Sequence, residues 1–242
     1  MLIATESVEI PTAGGLMPAY LARPKGEGRF PGVVFFSDIF QLTEPMLRIT
    51  RRLAGYGFAV LAPEIYYRAE GIDSSLDFED DRALAMDCAS RFPTADFDAD
   101  LVAALDFLEA HPAVDPARRF AAGFCFGGHL AFRAALRPEV KATACFYPTG
   151  LHNNKLGLDP AESLARAGEI RGKLLMVFGT LDPHIPEDAR AKIAEALKRS
   201  GVDHQTLLYP AEHTFMRDEG TRHDPEATDQ AFAAMIELFR GI

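Results

Sequence analysis

Arg119-Phe120-Ala121-Ala122-Gly123-Phe124-Cys125-Phe126-Gly127-Gly128-His129-Leu130 is the stretch on which the reading of the chain turns. Arg119–Ala122 has strand character, and His129–Leu136 reads as a helix. Between them, a glycine stands two residues before Cys125 and two more stand two and three after it. That spacing suits a strand-to-helix turn too tight for side chains, with the residue at its tip pushed out above the sheet edge. Here that residue is a cysteine. The helix behind it aims its first N–H groups and its dipole at the sulfur, which favours thiolate over thiol.

On the N-terminal side, Ser7–Ile10 and Met17–Ala22 flank Ala13-Gly14-Gly15 and predict an edge β-hairpin. Val33–Phe36 and Phe58–Ala62 are unbroken apolar runs, the mark of strands buried on both faces of a parallel sheet. A helix is expected over Glu44–Ala54, a loop over 66–76, and helices over 77–91 and 97–110. In the last of these, Leu101, Ala104, Leu105 and Leu108 share one face. On the C-terminal side, Lys141–Phe146, Lys173–Gly179 and His204–Tyr209 read as strands. Lys155–Ile170 reads as a loop with a short helix, and helices follow over Pro186–Arg199 and at the C-terminus, where Phe232, Met235, Ile236 and Phe239 share a face. A hairpin followed by alternating strands and helices predicts an α/β fold: a mostly parallel central sheet with helices on both faces and an N-terminal antiparallel hairpin. No linker or repeat divides residues 1–242, so one domain is expected.

The chain has 242 residues, 48% of them apolar, with 25 basic and 35 acidic residues giving a net charge of −10. This is a globular composition. The charge argues against nucleic acid or anionic membrane as a partner and leaves room for a small anionic substrate, since a local pair of arginines outweighs a distant net charge. Three cysteines, Cys88, Cys125 and Cys145, fit a reducing compartment with no disulfide framework. With no secretory or membrane-spanning segment visible, a cytoplasmic location is expected. No spacing resembles a zinc site, and no metal or organic cofactor is expected. Cys88 and Cys145 read as buried structural thiols. Nothing selects between a monomer and a small homo-oligomer.

Open α/β sheets gather their chemistry outside the carboxyl ends of the strands. Cys125, Asp182 and His213 each follow a predicted strand there. Their order, nucleophile then acid then histidine, is that of α/β-hydrolases. A thiolate attacks a carbonyl, an imidazole pairs with it and shuttles the proton, and a carboxylate fixes the imidazole. The backbone N–H groups of Phe126 and Ile39 are the candidates for an oxyanion hole. Tyr147, at the end of a strand beside the site, is a candidate pocket residue. His184 lies too close to Asp182 in the chain to serve as the base. His129, His152, His204 and His223 read as structural or exposed.

Three segments carry a resemblance: Gly123-Phe124-Cys125-Phe126-Gly127-Gly128, Gly179-Thr180-Leu181-Asp182 and Ala211-Glu212-His213-Thr214-Phe215. On these the chain resembles the dienelactone hydrolase (carboxymethylenebutenolidase) family of α/β-hydrolases over nearly its whole length. The resemblance implies cleavage of a small ester or lactone through a cysteine nucleophile. It also implies a glutamate that interacts with the cysteine and takes part in its activation. Asp38 occupies that position, one methylene shorter. Two arginines that grip a substrate carboxylate are implied, and Arg82 and Arg217 match them by position. A tyrosine implied one helical turn after the first of these is Met86 here. Two rival readings stand beside this one: a broad carboxylesterase or thioesterase indifferent to substrate charge, and a non-catalytic small-molecule binder or thiol sensor on the same scaffold.

Overall fold

A computed structural model describes residues 1–242. Eight strands form a single sheet: β1 (Ile3–Thr12), β2 (Gly15–Pro24), β3 (Phe30–Phe36), β4 (Ala59–Pro63), β5 (Val114–Phe124), β6 (Val140–Phe146), β7 (Lys173–Gly179) and β8 (His204–Tyr209). Their spatial order is β1-β2-β4-β3-β5-β6-β7-β8. The β1–β2 and β2–β4 pairs are antiparallel and all the others are parallel. The helices are α1 (Glu44–Gly55), α2 (Arg82–Ser90), α3 (Thr94–Ala110), α4 (Phe126–Ala134), α5 (Glu187–Arg199) and α6 (Pro225–Arg240), with a short 3-10 turn at Ala167–Glu169.

Every side chain of β3 from Val33 to Phe36 is at most 1% exposed. Since successive strand residues point to opposite faces, both faces of the sheet are covered. Register identifies the covers. Val33 sits opposite Phe120 and Phe35 opposite Ala122, so Phe35, Phe120 and Phe124 share a face. Phe239 of α6 stacks on Phe120 there, with ring centroids 4.8 Å apart. Phe36 points the other way, onto Phe97 of α3 at 5.3 Å. The expected layering is therefore present, with α6 on one side and α3 on the other.

The expected hairpin is longer than its apolar core suggested, with ten residues in each strand and Thr12 opposite Gly15. The helix expected over 77–91 starts only at Arg82. Residues 77–81 form a turn instead: the Asp77 carboxylate accepts the Glu79 and Asp80 N–H groups, and the Asp77 N–H donates to the Asp81 carboxylate. Aspartates offered their own backbone make turns before they make helices. The helix expected over 97–110 begins earlier, at Thr94, whose hydroxyl donates to the Leu156 carbonyl at 2.6 Å.

Two glycines let α4 press against the sheet. A Cβ on Gly123 would stand 2.0 Å from the Gly127 carbonyl oxygen, and one on Gly127 would stand 2.1 Å from that of Ser37 and 2.4 Å from that of Phe36. Neither obstacle is a side chain that can turn away. Gly127→Ala is therefore expected to cost about 3 kcal/mol or more of stability, read as a fall in thermal midpoint. A variant as stable as the parent would contradict this packing.

Candidate active site

The turn between β5 and α4 puts Cys125 at φ 57° and ψ −118°, a strained backbone for a residue with a side chain. The strain is held by the neighbours: the Cys125 N–H donates to the Phe146 carbonyl at 3.0 Å, and its own carbonyl accepts from the N–H groups of Gly128 and Thr149 at 3.0 and 3.2 Å. Cys125 is buried, with 8% of its surface exposed.

Asp182 lies in the loop after β7, and His213 in the loop after β8. His213 Nε2 is 3.1 Å from Cys125 Sγ, and His213 Nδ1 is 2.6 Å from Asp182 Oδ2. The second oxygen of Asp182 accepts the His184 backbone N–H at 2.8 Å. A carboxylate can only accept, so Nδ1 carries a hydrogen and Nε2 faces the sulfur. Burial draws the His213 pKa down, but a thiolate at Cys125 and the Asp182 carboxylate outweigh it and raise it to about 10. Burial likewise pushes Asp182 up, and the bond and charge of His213 bring it below the usual carboxylate value. The arrangement can hold a thiolate–imidazolium pair. His184 is an exposed residue, but its ring rests edge-on against His213 at 4.7 Å, and this partial loss of solvent and the His213 charge lower its pKa.

The two backbone N–H groups expected to form an oxyanion hole are both without an acceptor. Phe126 is the first residue of α4, so its N–H has no acceptor within the helix. Ile39 follows β3 in a half-buried loop, and its N–H takes part in none of the loop hydrogen bonds.

Asp38 is 3% exposed. Its Oδ1 accepts the Phe40 N–H at 2.9 Å, and its Oδ2 lies 4.0 Å from the Arg217 guanidinium. The hydrogen-bond neighbours of the sulfur are His213 and, at 4.0 Å, Thr149 Oγ1; Asp38 makes no hydrogen bond to it. Burial raises the Asp38 pKa against the opposing pull of Phe40 and Arg217. The guanidinium carbon of Arg217 sits over Phe78, 3.9 Å from the ring centre, and its Nε donates to the Glu219 carbonyl. Arg48 of α1 steadies this loop through a two-pronged bond to Asp218, both arms 2.7 Å. Arg82, in contrast, is exposed at the start of α2 and makes no side-chain hydrogen bond; its charge reaches His184. Tyr147 is buried with φ 36°, its ring 5.2 Å from that of His213 and 5.4 Å from that of Phe215.

Three residues at the site escape a reading of the sequence. Thr149 comes three residues past β6, the strand beside β5, and its position at that carboxyl edge is the signal that would have found it. Phe78 supports Arg217 from the turn mistaken for a helix. Tyr66 stands three residues past β4, fully buried, with its backbone N–H held by Gln41 Oε1 at 3.1 Å. His129 is buried rather than exposed. Its Nδ1–H donates to the Thr149 carbonyl at 3.0 Å and its Nε2 meets the Ser163 hydroxyl at 2.9 Å. Burial lowers its pKa to about 3, so it stays neutral and pins the 149–163 loop to α4. Cys88 and Cys145 are buried free thiols, as expected.

Because the Asp38 carboxyl binds its proton more tightly folded than unfolded, its ionisation opposes folding above its folded pKa, and the penalty lifts as pH falls. Asp38→Asn keeps the acceptor for Phe40 and removes the charge. It is expected to raise the thermal midpoint at pH 7.5 by a few degrees, about 1 kcal/mol for a domain of this size, with the gain shrinking towards pH 4. A lowered midpoint at pH 7.5 would mean that the bond to Arg217 outweighs burial.

The chain is similar to several known proteins. The model of the dienelactone hydrolase family matches residues 17–242. A Saccharomyces cerevisiae protein provisionally named carboxymethylenebutenolidase is 33% identical over 251 residues, covering 99% of this chain and 92% of the relative. A Synechocystis relative with the same provisional name is 30% identical, covering 98% and 97%. Among solved structures, a Klebsiella pneumoniae protein provisionally described as a dienelactone hydrolase superposes with a TM-score of 0.89 at 27% identity, covering all of both chains. The dienelactone hydrolase-like promiscuous phosphotriesterase P91, from metagenomic libraries, superposes at 0.81 with 25% identity, covering 100% of this chain and 99% of its own. With a matching family model over nearly all its length and relatives of 30% identity or more that cover it almost whole, the chain belongs to the dienelactone hydrolase family of α/β-hydrolases.

Proposed function

We propose that the chain hydrolyses a small ester or lactone, dienelactone-like and carboxylate-bearing, with Cys125 as nucleophile, His213 as proton carrier and Asp182 as the group that orients it. The observation that carries this reading is the unbroken line Sγ–Nε2 at 3.1 Å and Nδ1–Oδ2 at 2.6 Å beneath a strained turn.

The thiolate attacks the carbonyl carbon, and the C=O pair moves onto oxygen, where the Phe126 and Ile39 N–H groups receive it. Collapse breaks the bond to the leaving oxygen, which takes the proton from His213 Nε2. This leaves an acyl-cysteine and a neutral imidazole. In a lactone, the leaving oxygen stays attached to the acyl group. Nε2 next removes a proton from water, and the hydroxide oxygen attacks the acyl carbon. The second collapse returns the electron pair to sulfur and releases the acid. Asp182 holds Nδ1–H throughout and stabilises the imidazolium. Every proton and electron pair is carried by the chain, the substrate or water.

Arg217, held over Phe78 and by the Glu219 carbonyl with Asp38 at 4.0 Å as its one ion partner, has the planar donors that a substrate carboxylate fits. Arg82, exposed near His184, would supply the second grip. Asp38 would tune this cation, and through it the charge around Sγ. Tyr147 packs the imidazole from one side.

Cys125→Ala is expected to lower kcat/KM by at least about 10³-fold and Asp182→Asn by about 10²–10⁴-fold, both without unfolding. Full activity in Cys125→Ala would end the proposal. In Arg217→Ala, the preference for a carboxylate-bearing ester over its methyl-ester counterpart is expected to fall about tenfold. An unchanged preference would favour a carboxylesterase or thioesterase indifferent to charge. If intact-mass measurement after mixing with an activated ester gave neither an acyl adduct nor product, the binder or sensor reading would replace this one.

A further inference from the structure

Beside the site lies a cavity of about 480 Å³ between α2, the start of α3 and the segment that follows β4. That is within the range of small-molecule sites. Leu84 and Cys88 of α2 line one side, and Leu101 and Ala104 of α3 line another. The wall towards the nucleophile is aromatic. Tyr66 and Phe92 both face the cavity and both pack on Phe126, the residue after Cys125, with ring centroids 6.5 and 5.1 Å away. Phe36, two residues before Asp38, completes it.

Two further observations bear on what the cavity takes. The charged side chains Arg68 and Asp100 on its rim satisfy one another at 2.6 Å. The Tyr66 hydroxyl is buried and has no hydrogen-bond partner, an uncommon and costly state for a phenol. Tyr66 faces the cavity and packs on the residue after Cys125, so it stands between the two with one donor to spare. Apolar walls with a single free donor suit an uncharged apolar group that carries one oxygen acceptor at its end.

We propose that this cavity holds the apolar arm, an alkyl chain or an aromatic ring, of an ester whose carbonyl lies at Cys125, with the Tyr66 hydroxyl donating to an oxygen of that ester. The proposal rests on the hydrolase reading and extends it from small lactones to esters with a sizeable apolar acyl group. Ala104 is fully buried and Leu84 is 37% exposed at the edge, so Ala104→Phe fills the cavity and Leu84→Trp narrows its mouth without touching the core.

Two measurements on the full chain test it. Calorimetric titration with sodium octanoate is expected to give saturable binding, weakened about tenfold or more in both variants and several-fold in Tyr66→Phe. The ratio of kcat/KM for para-nitrophenyl octanoate to that for para-nitrophenyl acetate is expected to fall about tenfold or more in both filling variants. Absence of octanoate binding, or binding and a chain-length ratio unmoved by Leu84→Trp, would overturn the cavity assignment, whether or not Ala104→Phe folds. Cavity-dependent octanoate binding without turnover of either ester would overturn the hydrolase reading and leave the ligand site standing.

Discussion

The approach of α4 to the sheet at Gly127 is the constraint on which the site depends. Backbone meets backbone there, with the β3 carbonyls where a side chain would go. Because α4 cannot move away, the turn before it must bend sharply, and Cys125 absorbs the bend in its own φ and ψ. The strain costs about 1–3 kcal/mol, and the large continuous core offsets it. One cluster of 71 buried residues runs through both faces of the sheet. The position of Cys125 at the tip of the turn is thus a product of packing underneath it.

Electrostatics then divides the pocket into two regions. Along one line, His213 is raised and Asp182 lowered, so each stabilises the charged form of the other. Along the other, Asp38 is driven towards its neutral form by burial while Arg217 pulls it back. The shorter side chain at position 38 turns to Phe40 and Arg217, and the sulfur is left to His213 and Thr149. Asp38 and the sulfur are therefore linked through fields and shared neighbours rather than by a bond.

The parts of this arrangement legible in the sequence are those fixed by short-range rules. β7 runs over the very residues its apolar run predicts, because a parallel strand buried on both faces leaves few other readings, and β8 has its expected bounds although its side chains are half-buried or exposed. The glycine spacing around Cys125 announces a turn that only glycines fit. Asp182 and His213 follow strands and are found by their place in the order. What was not legible depends on contacts between distant segments. The 77–91 span has helical composition, but Asp77 spends its carboxylate on the local backbone and delays the helix to Arg82. Tyr66, Phe78 and Thr149 lie in irregular loops, where no periodicity says which way a side chain points. Their positions follow from Gln41, from Arg217 and from the His129 clamp.

The order of the sheet also bears on how the site comes apart. Cys125 belongs to β5, with neighbours on both sides, while His213 follows β8, an edge strand paired only with β7 over six residues and largely exposed. Edge elements with few buried contacts open at a lower free-energy cost than central ones. Fraying of that margin carries the imidazole away while the cysteine turn still stands on an intact middle. Loss of the Cys125–His213 contact is in this sense a detachment rather than a collapse: the pair separates before the protein loses its shape, and is restored by zipping one strand back.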